Sequence, residues 1–141
     1  MENATTTILA ARSADVARLA SELKDLMRRA TQSPGDACYL TVNAGDPFVQ
    51  FMADAERRTV SFEAVANDFL PPKLRLDPER FAALVALGFQ TPEQTGVNFA
   101  MDRPLAVEGD FQELAALAVL VLFEIHRAPI DKPLTYDWGS Q

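Results

Sequence analysis

"CYLTVNAGDPFVQFMADAERRTVSFEAV", Cys38 to Val65, holds three short alternating runs separated by two turn signals. In the first, Cys38, Leu40 and Val42 share one face, and Tyr39 and Thr41 the other. "AGD" turns the chain into the second run. There Val49, Phe51 and Ala53 oppose Phe48, Gln50 and Met52, with Pro47 tolerable at a strand start. After "DAERR", Val60, Phe62 and Ala64 alternate with Ser61, Glu63 and Val65. Period-two alternation joined by short loops predicts an antiparallel meander. One face is apolar throughout. The other is mixed, which suits partial exposure or a partner.

Helical patterns flank this meander. Ser13 is expected as the N-cap of a helix reaching about Ala30, with Val16, Leu19, Ala20, Leu23, Leu26 and Met27 on one stripe. "QSPGD" is a turn signal before the first strand. Asp77 and Pro78 open a second helix, which Gly88 ends and Pro92 keeps from resuming. Val97 to Met101 reads as a fourth strand. Asp110, with Glu113 three residues on, starts a third helix running to about Arg127, with His126 and Arg127 at its negative end. The expected fold is α+β: an antiparallel sheet of about four strands with helices packed on it, in the order α-β-β-β-α-β-α. That single domain spans residues 13–128. Residues 1–12 are expected to be flexible. Residues 129–141 form a tail with the one tryptophan, Trp138, which either stays disordered or docks as an arm.

The second helix poses a question of coverage. From Phe81 to Phe89, in "RFAALVALGFQTPE", it has no charged residue, whereas surface helices keep a polar face. Four strands about 4.8 Å apart give a sheet roughly 15–19 Å wide, room for two helices of about 10 Å. The first helix fits there by its stripe. The third, "LAALAVLVLF", is apolar nearly all round and fits the centre of that layer. The second is then surplus. Phe81, Leu84 and Val85 can anchor it, while Ala82, Ala83, Ala86, Leu87 and Phe89 leave another apolar surface. Either neighbouring loops cover that surface, including "NDFLPP" with Phe69 and Leu70, or a subunit or peptide does.

Other function classes find little support. The 141-residue chain has a net charge of −7 and only scattered arginine doublets, which disfavours nucleic acid or anionic membrane as the main partner. Its longest apolar run, Leu114 to Phe123, is about half a membrane span. The start, with Glu2 and threonines, lacks the pattern of a secretory signal, so a cytoplasmic location is expected. Arginine-rich, lysine-poor usage suits a bacterial origin. A single cysteine, Cys38, and a single histidine, His126, build no zinc site, and no cofactor is expected. His126 reads as a surface residue supporting a helix end. Glu63 interrupts an otherwise apolar or small-residue strand and faces solvent, or serves as an acid or base if buried beside another carboxylate. The glycines form no phosphate loop, and neither Ser33 nor Ser61 has an identifiable base.

The order of elements and four local phrases together resemble the type III secretion chaperone and YbjN-like superfamily. The phrases are "FVQFMAD", "FEAVANDFL", "LGFQTPE" and "VNF". Glu63, Asn67 and Leu70 match a Glu-x-x-x-Asn-x-x-Leu string, and Leu87, Gly88, Phe89 and Pro92 match a Leu-Gly-Trp-x-x-Pro turn. Asn98 and Phe99 match an Asn-Phe pair. Phe89 replaces the usual tryptophan, and Ala66 stands where serine is common. Covering roughly Ala14 to Arg127, the resemblance implies a domain without enzymatic activity that binds peptides or proteins, often as a homodimer. The leading expectation is therefore a chaperone-like module with a polypeptide client at Phe81, Leu84, Leu87, Phe89, Phe69 and Leu70, and at a free sheet edge. The alternative is a small-molecule site or enzyme on the mixed sheet face, using Tyr39, Gln50, Glu63 and Asn98.

Overall fold

The computed structural model describes residues 4–33 and 38–140. The three alternating runs form β1 (Cys38–Asn43), β2 (Phe48–Asp54) and β3 (Thr59–Ala64), a meander with Leu40 opposite Phe51 and Phe51 opposite Phe62. Gly45, at φ +77°, makes the first turn in a left-handed conformation that costs glycine nothing. In the second turn the Arg57 N–H donates to Asp54 Oδ1 at 3.1 Å. The fourth strand, β4 (Phe99–Pro104), pairs with β3 and begins two residues later than the apolar pattern suggested.

The sheet has a fifth member. The tail supplies β5 (Thr135–Ser140), antiparallel to β1, giving the order β4-β3-β2-β1-β5. Trp138 lies opposite Leu40 and Tyr136 opposite Val42, so both rings face the helices. Arginines from the covering helix hold them: the Arg29 guanidinium is 3.9 Å above the Trp138 ring and that of Arg18 is 4.2 Å above Tyr136. Such contacts stabilise a docked strand by on the order of 0.5–2 kcal/mol each.

One sheet face carries the core. Helix α2 (Ser13–Gln32) buries Val16, Leu19, Ala20, Leu23, Leu26 and Ala30, nearly the stripe expected, with Arg12 rather than Ser13 at the N-cap. It is preceded by α1 (Ala4–Ala11), which lies in the stretch expected to be flexible and packs Ile8 and Leu9 against the core. Arg12 explains why Ala4–Ala11 is held, while the expectation for residues 1–3 lies outside the described residues. Its guanidinium donates to the carbonyls of Ile130 at 2.8 Å and Lys132 at 2.9 Å, pairs with Asp15, and lies 4.2 Å over the Phe123 ring.

Beyond β3, Asn67 fixes the connection to the next helix. Its Oδ1 accepts from the Leu76 N–H at 2.6 Å and its amide donates back to the Leu76 carbonyl. Helix α3 (Pro78–Ala86) then starts on its cap, with Asp77 Oδ1 accepting from the Arg80 N–H at 2.8 Å. Gly88, at φ +108°, ends it. Pro92, expected only to block further helix, begins the single-turn α4 (Pro92–Thr95), because proline suits a first helical position. Helix α5 (Glu108–Leu120) starts earlier than expected. Asp110 sits inside its first turn and reaches back to the N–H groups of Ala106 and Val107 at 2.9 and 3.0 Å. It widens into a π-turn over Val121–Ile125.

Five phenylalanine rings run in contact through the core. Phe51 stacks on Phe62 at 4.9 Å, Phe62 meets Phe89 edge-on at 5.1 Å, and Phe99 contacts both Phe89 and Phe81 at 6.4 and 5.0 Å. Geometries of this kind add about 0.5–1.5 kcal/mol per pair beyond burial.

Candidate functional site

Helix α3 is short, so few of its side chains reach the core. Leu84 is its one fully buried residue, and Phe81 is half-buried against Phe99. Val85, expected to share the anchoring side, is 43% exposed, and Leu87 is 37% exposed. Ala82 and Ala86 also face solvent. Arg80 secures the helix from its first turn, donating to the carbonyls of Arg75 at 2.9 Å and Ile125 at 3.1 Å. The Arg80 backbone N–H, and then its side chain, hold the Asp77 carboxyl below the usual aspartate range.

Between α3 and α5 runs an open groove. Ala83 and Leu87 form one wall, Leu117 and Leu120 the other, and Ile125 the floor, around a hollow of about 320 Å³. Glu79 stands at its rim. Glu124 accepts from the Thr5 hydroxyl at one end. A second hollow of about 370 Å³ continues past Leu87 between Ala116, Glu113 and Arg103, and a third of about 500 Å³ reaches over Gly88 to β4. Leu87 lines all three. The apolar walls can exclude water from apolar side chains of a guest, and the rim supplies both signs of charge.

The six residues expected to form a binding surface therefore separate. Leu84, Phe89 and Leu70 are 0%, 3% and 4% exposed and belong to the chain's own core, out of a partner's reach in this conformation. Phe89 is drawn in because it lies on the rings of Phe62 and Phe99. Leu87 faces the groove, and Phe81 is half-shared with the core. Phe69, 56% exposed on a turn before α3, lines none of the three hollows. Leu117, Leu120 and Ala116 of α5 were not foreseen. Their signal was present: a helix apolar all round cannot turn every side to one sheet, and its leftover flank is this wall.

Among the described residues β5 pairs with β1 on one side only, which leaves open backbone at this edge. At the opposite edge Gln90 partly blocks β4, exchanging two hydrogen bonds with Ala100 at 2.7 and 3.2 Å.

Glu63 does not sit in a catalytic enclosure. It is half-buried on the uncovered sheet face, 3.5 Å from the Asn98 amide that donates to it. The Asn98 side-chain oxygen, Oδ1, accepts from the Ala66 N–H at 3.0 Å, a structural role that accounts for its burial. His126 departs from expectation. It is 1% exposed, and neither ring nitrogen finds a hydrogen-bond partner among the described residues. Burial, with the nearby Arg80 charge, lowers its pKa to about 4, so it is neutral near pH 7 and cannot serve as a cation at the helix end. Among the described residues no group of three or more His, Cys, Asp or Glu could hold a metal ion, and no helix is long and apolar enough to cross a membrane.

Against known families, residues 10–139 match the model for the T3SS (YopN, CesT) and YbjN peptide-binding chaperone 3 family. The chain belongs to that family, and the matched span takes in β5 up to Gly139. No curated protein and no solved structure matches it.

Proposed function

We propose that this peptide-binding-chaperone family member is a non-enzymatic module that holds an apolar stretch of a polypeptide client in the α3–α5 groove. The observation supporting this reading is the groove itself: Leu87, Ala83, Leu117 and Leu120 converge on space that the described residues leave unfilled. A guest burying a few hundred Å² there would gain on the order of 5–10 kcal/mol gross, much of it offset by association costs. Client backbone can extend the sheet at β5, the freer edge. Without a client, a second copy takes the same groove to form a homodimer. The acidic surface and lone cysteine suit work in the bacterial cytoplasm.

Leu87→Asp tests the reading. It places a charge where all three hollows meet, on a side chain the core does not need. Client capture and self-association, followed by affinity pull-down and light scattering, should be lost while the circular-dichroism melt stays close to wild type. Undiminished capture would overturn the proposal, and so would global unfolding, which would make Leu87 part of the core.

A further inference from the structure

The sheet presents a second surface, which meets the third hollow only at its β4 end, where Ser61, Ala100 and Asp102 line that hollow. Helix α2 and the π-turn pack on the Leu40–Phe51–Phe62 face. The residues alternating with these point the other way. Tyr39, Thr41, Phe48, Gln50, Met52, Ser61 and Glu63 are half-buried, none fully.

Strand register arranges this face in rows. Across one row, Asp137, Thr41, Gln50, Glu63 and Ala100 lie side by side. The next reads Gly139, Tyr39, Met52, Ser61 and Asp102. Apolar side chains therefore occupy the middle of the face, Met52 and Phe48 on β2 and Tyr39 on β1, whose ring leans over Gly139 of β5. Carboxylates stand on both flanks, with Asp137 on β5 and Glu63 and Asp102 on β3 and β4. No Lys, Arg or His appears in either row. Among the described residues none of these three carboxylates is in an ion pair. Asp137 accepts from the Asn43 amide at 2.8 Å, and Glu63 has only its contact with Asn98.

From this arrangement we infer that the bare sheet face docks a cationic amphipathic helix of a partner protein. An apolar stripe would lie along β1 and β2 over Tyr39, Met52 and Phe48, with lysines or arginines reaching Asp137 on one side and Glu63 and Asp102 on the other. Dimensions agree: β5 and β3 are three strand spacings apart, about 14 Å, and a helix is about 10 Å across, leaving each flank to a basic side chain. The charge pattern rejects a second copy of this chain face to face, since carboxylate would meet carboxylate. The covered face shows the same grammar, because α2 sets its leucines in the middle of the sheet and its arginines over the β5 rings.

The test uses the full chain and a synthetic Leu/Lys amphipathic peptide of about 18 residues, roughly 27 Å long as a helix. A scrambled peptide of the same composition and a Leu/Glu peptide serve as controls. Isotope-labelled protein should show resonance shifts at Tyr39, Gln50, Met52 and Asp137 with the Leu/Lys peptide alone. Affinity should fall about tenfold in the double variant Glu63→Gln, Asp137→Asn, which keeps shape and hydrogen bonding while removing charge. It should also fall as salt rises. Leu120→Asp, which alters the groove wall away from the β4 end of this face, should bind this peptide like wild type, separating this surface from the groove. Equal binding of the scrambled peptide, shifts confined to Leu87 and Leu117, or full affinity in the uncharged double variant would each overturn the inference. So would a dimer found to bury Tyr39.

Discussion

Helices α2 and α3 make instructive opposites. Each is held near its start by an arginine that donates to two backbone carbonyls: Arg12 to Ile130 and Lys132, Arg80 to Arg75 and Ile125. Beyond that they diverge. The 20-residue α2 concentrates its apolar residues in one stripe and buries six of them. The nine-residue α3 spreads its apolar residues around the circumference and buries one. An apolar stripe commits a helix to its own core, whereas an apolar circumference on a short helix leaves surface for something else.

The sharpest break between the two would come from Leu23→Ala in α2. Leu23 is fully buried, and its loss should cost about 2–5 kcal/mol and lower the melting temperature by many degrees. Arg12→Ala should cost about 2–3 kcal/mol, since it strips two carbonyls of a charged donor. Hydrogen exchange should then rise first in β5 and in residues 129–134. The more exposed Arg80 should matter less.

Acid should work from the side of the molecule where α3 meets the π-turn. The folded-state pKa of His126 is lowered from the ordinary 6.5 to about 4, so its neutral form favours folding. That contribution is complete above pH 6.5 and is lost as pH falls toward 4, by at most about 3 kcal/mol. The lowered carboxyls of Asp25, Asp77 and Asp110 matter only further down, as pH drops below the ordinary aspartate range. His126→Leu should therefore flatten the fall in denaturation midpoint between pH 6.5 and 4 while leaving the pH 7 value unchanged or raised. A slope identical to wild type would show that His126 already accepts a proton in the fold. Smallest of all, Leu87→Asp should change stability by less than about 1 kcal/mol in a urea titration, against the large loss in binding.

Much of the architecture was legible because it rests on local periodicity. The meander alternates strictly, α2 carries its stripe, and Asp77-Pro78 and Gly88 bound α3 where the backbone places its ends. What escaped depends on contacts distant in sequence. Nothing near Trp138 announces a strand. It becomes one because β1 has an unpaired edge about a hundred residues earlier and α2 has arginines to place over its rings. Arg12 likewise looked like part of a loose start until its carbonyl partners, 118 and 120 residues away, came into view. Of the proposed binding surface, the sequence disclosed that α3 had apolar side chains to spare. It did not disclose which ones, because one helical turn separates Leu84 in the core from Leu87 in the groove.

The row of phenylalanine rings gives the two proposed surfaces a shared foundation. Phe81 and Phe89 brace α3 from beneath, and their neighbours Phe62 and Phe51 sit in the strands whose reverse side carries Gln50, Met52 and Glu63. Aromatic rings in such contact have no slack to absorb a push. A load that tilts α3 outward must therefore be taken up at the middle of the sheet, so that the front and back of this small protein are floored by the same joists.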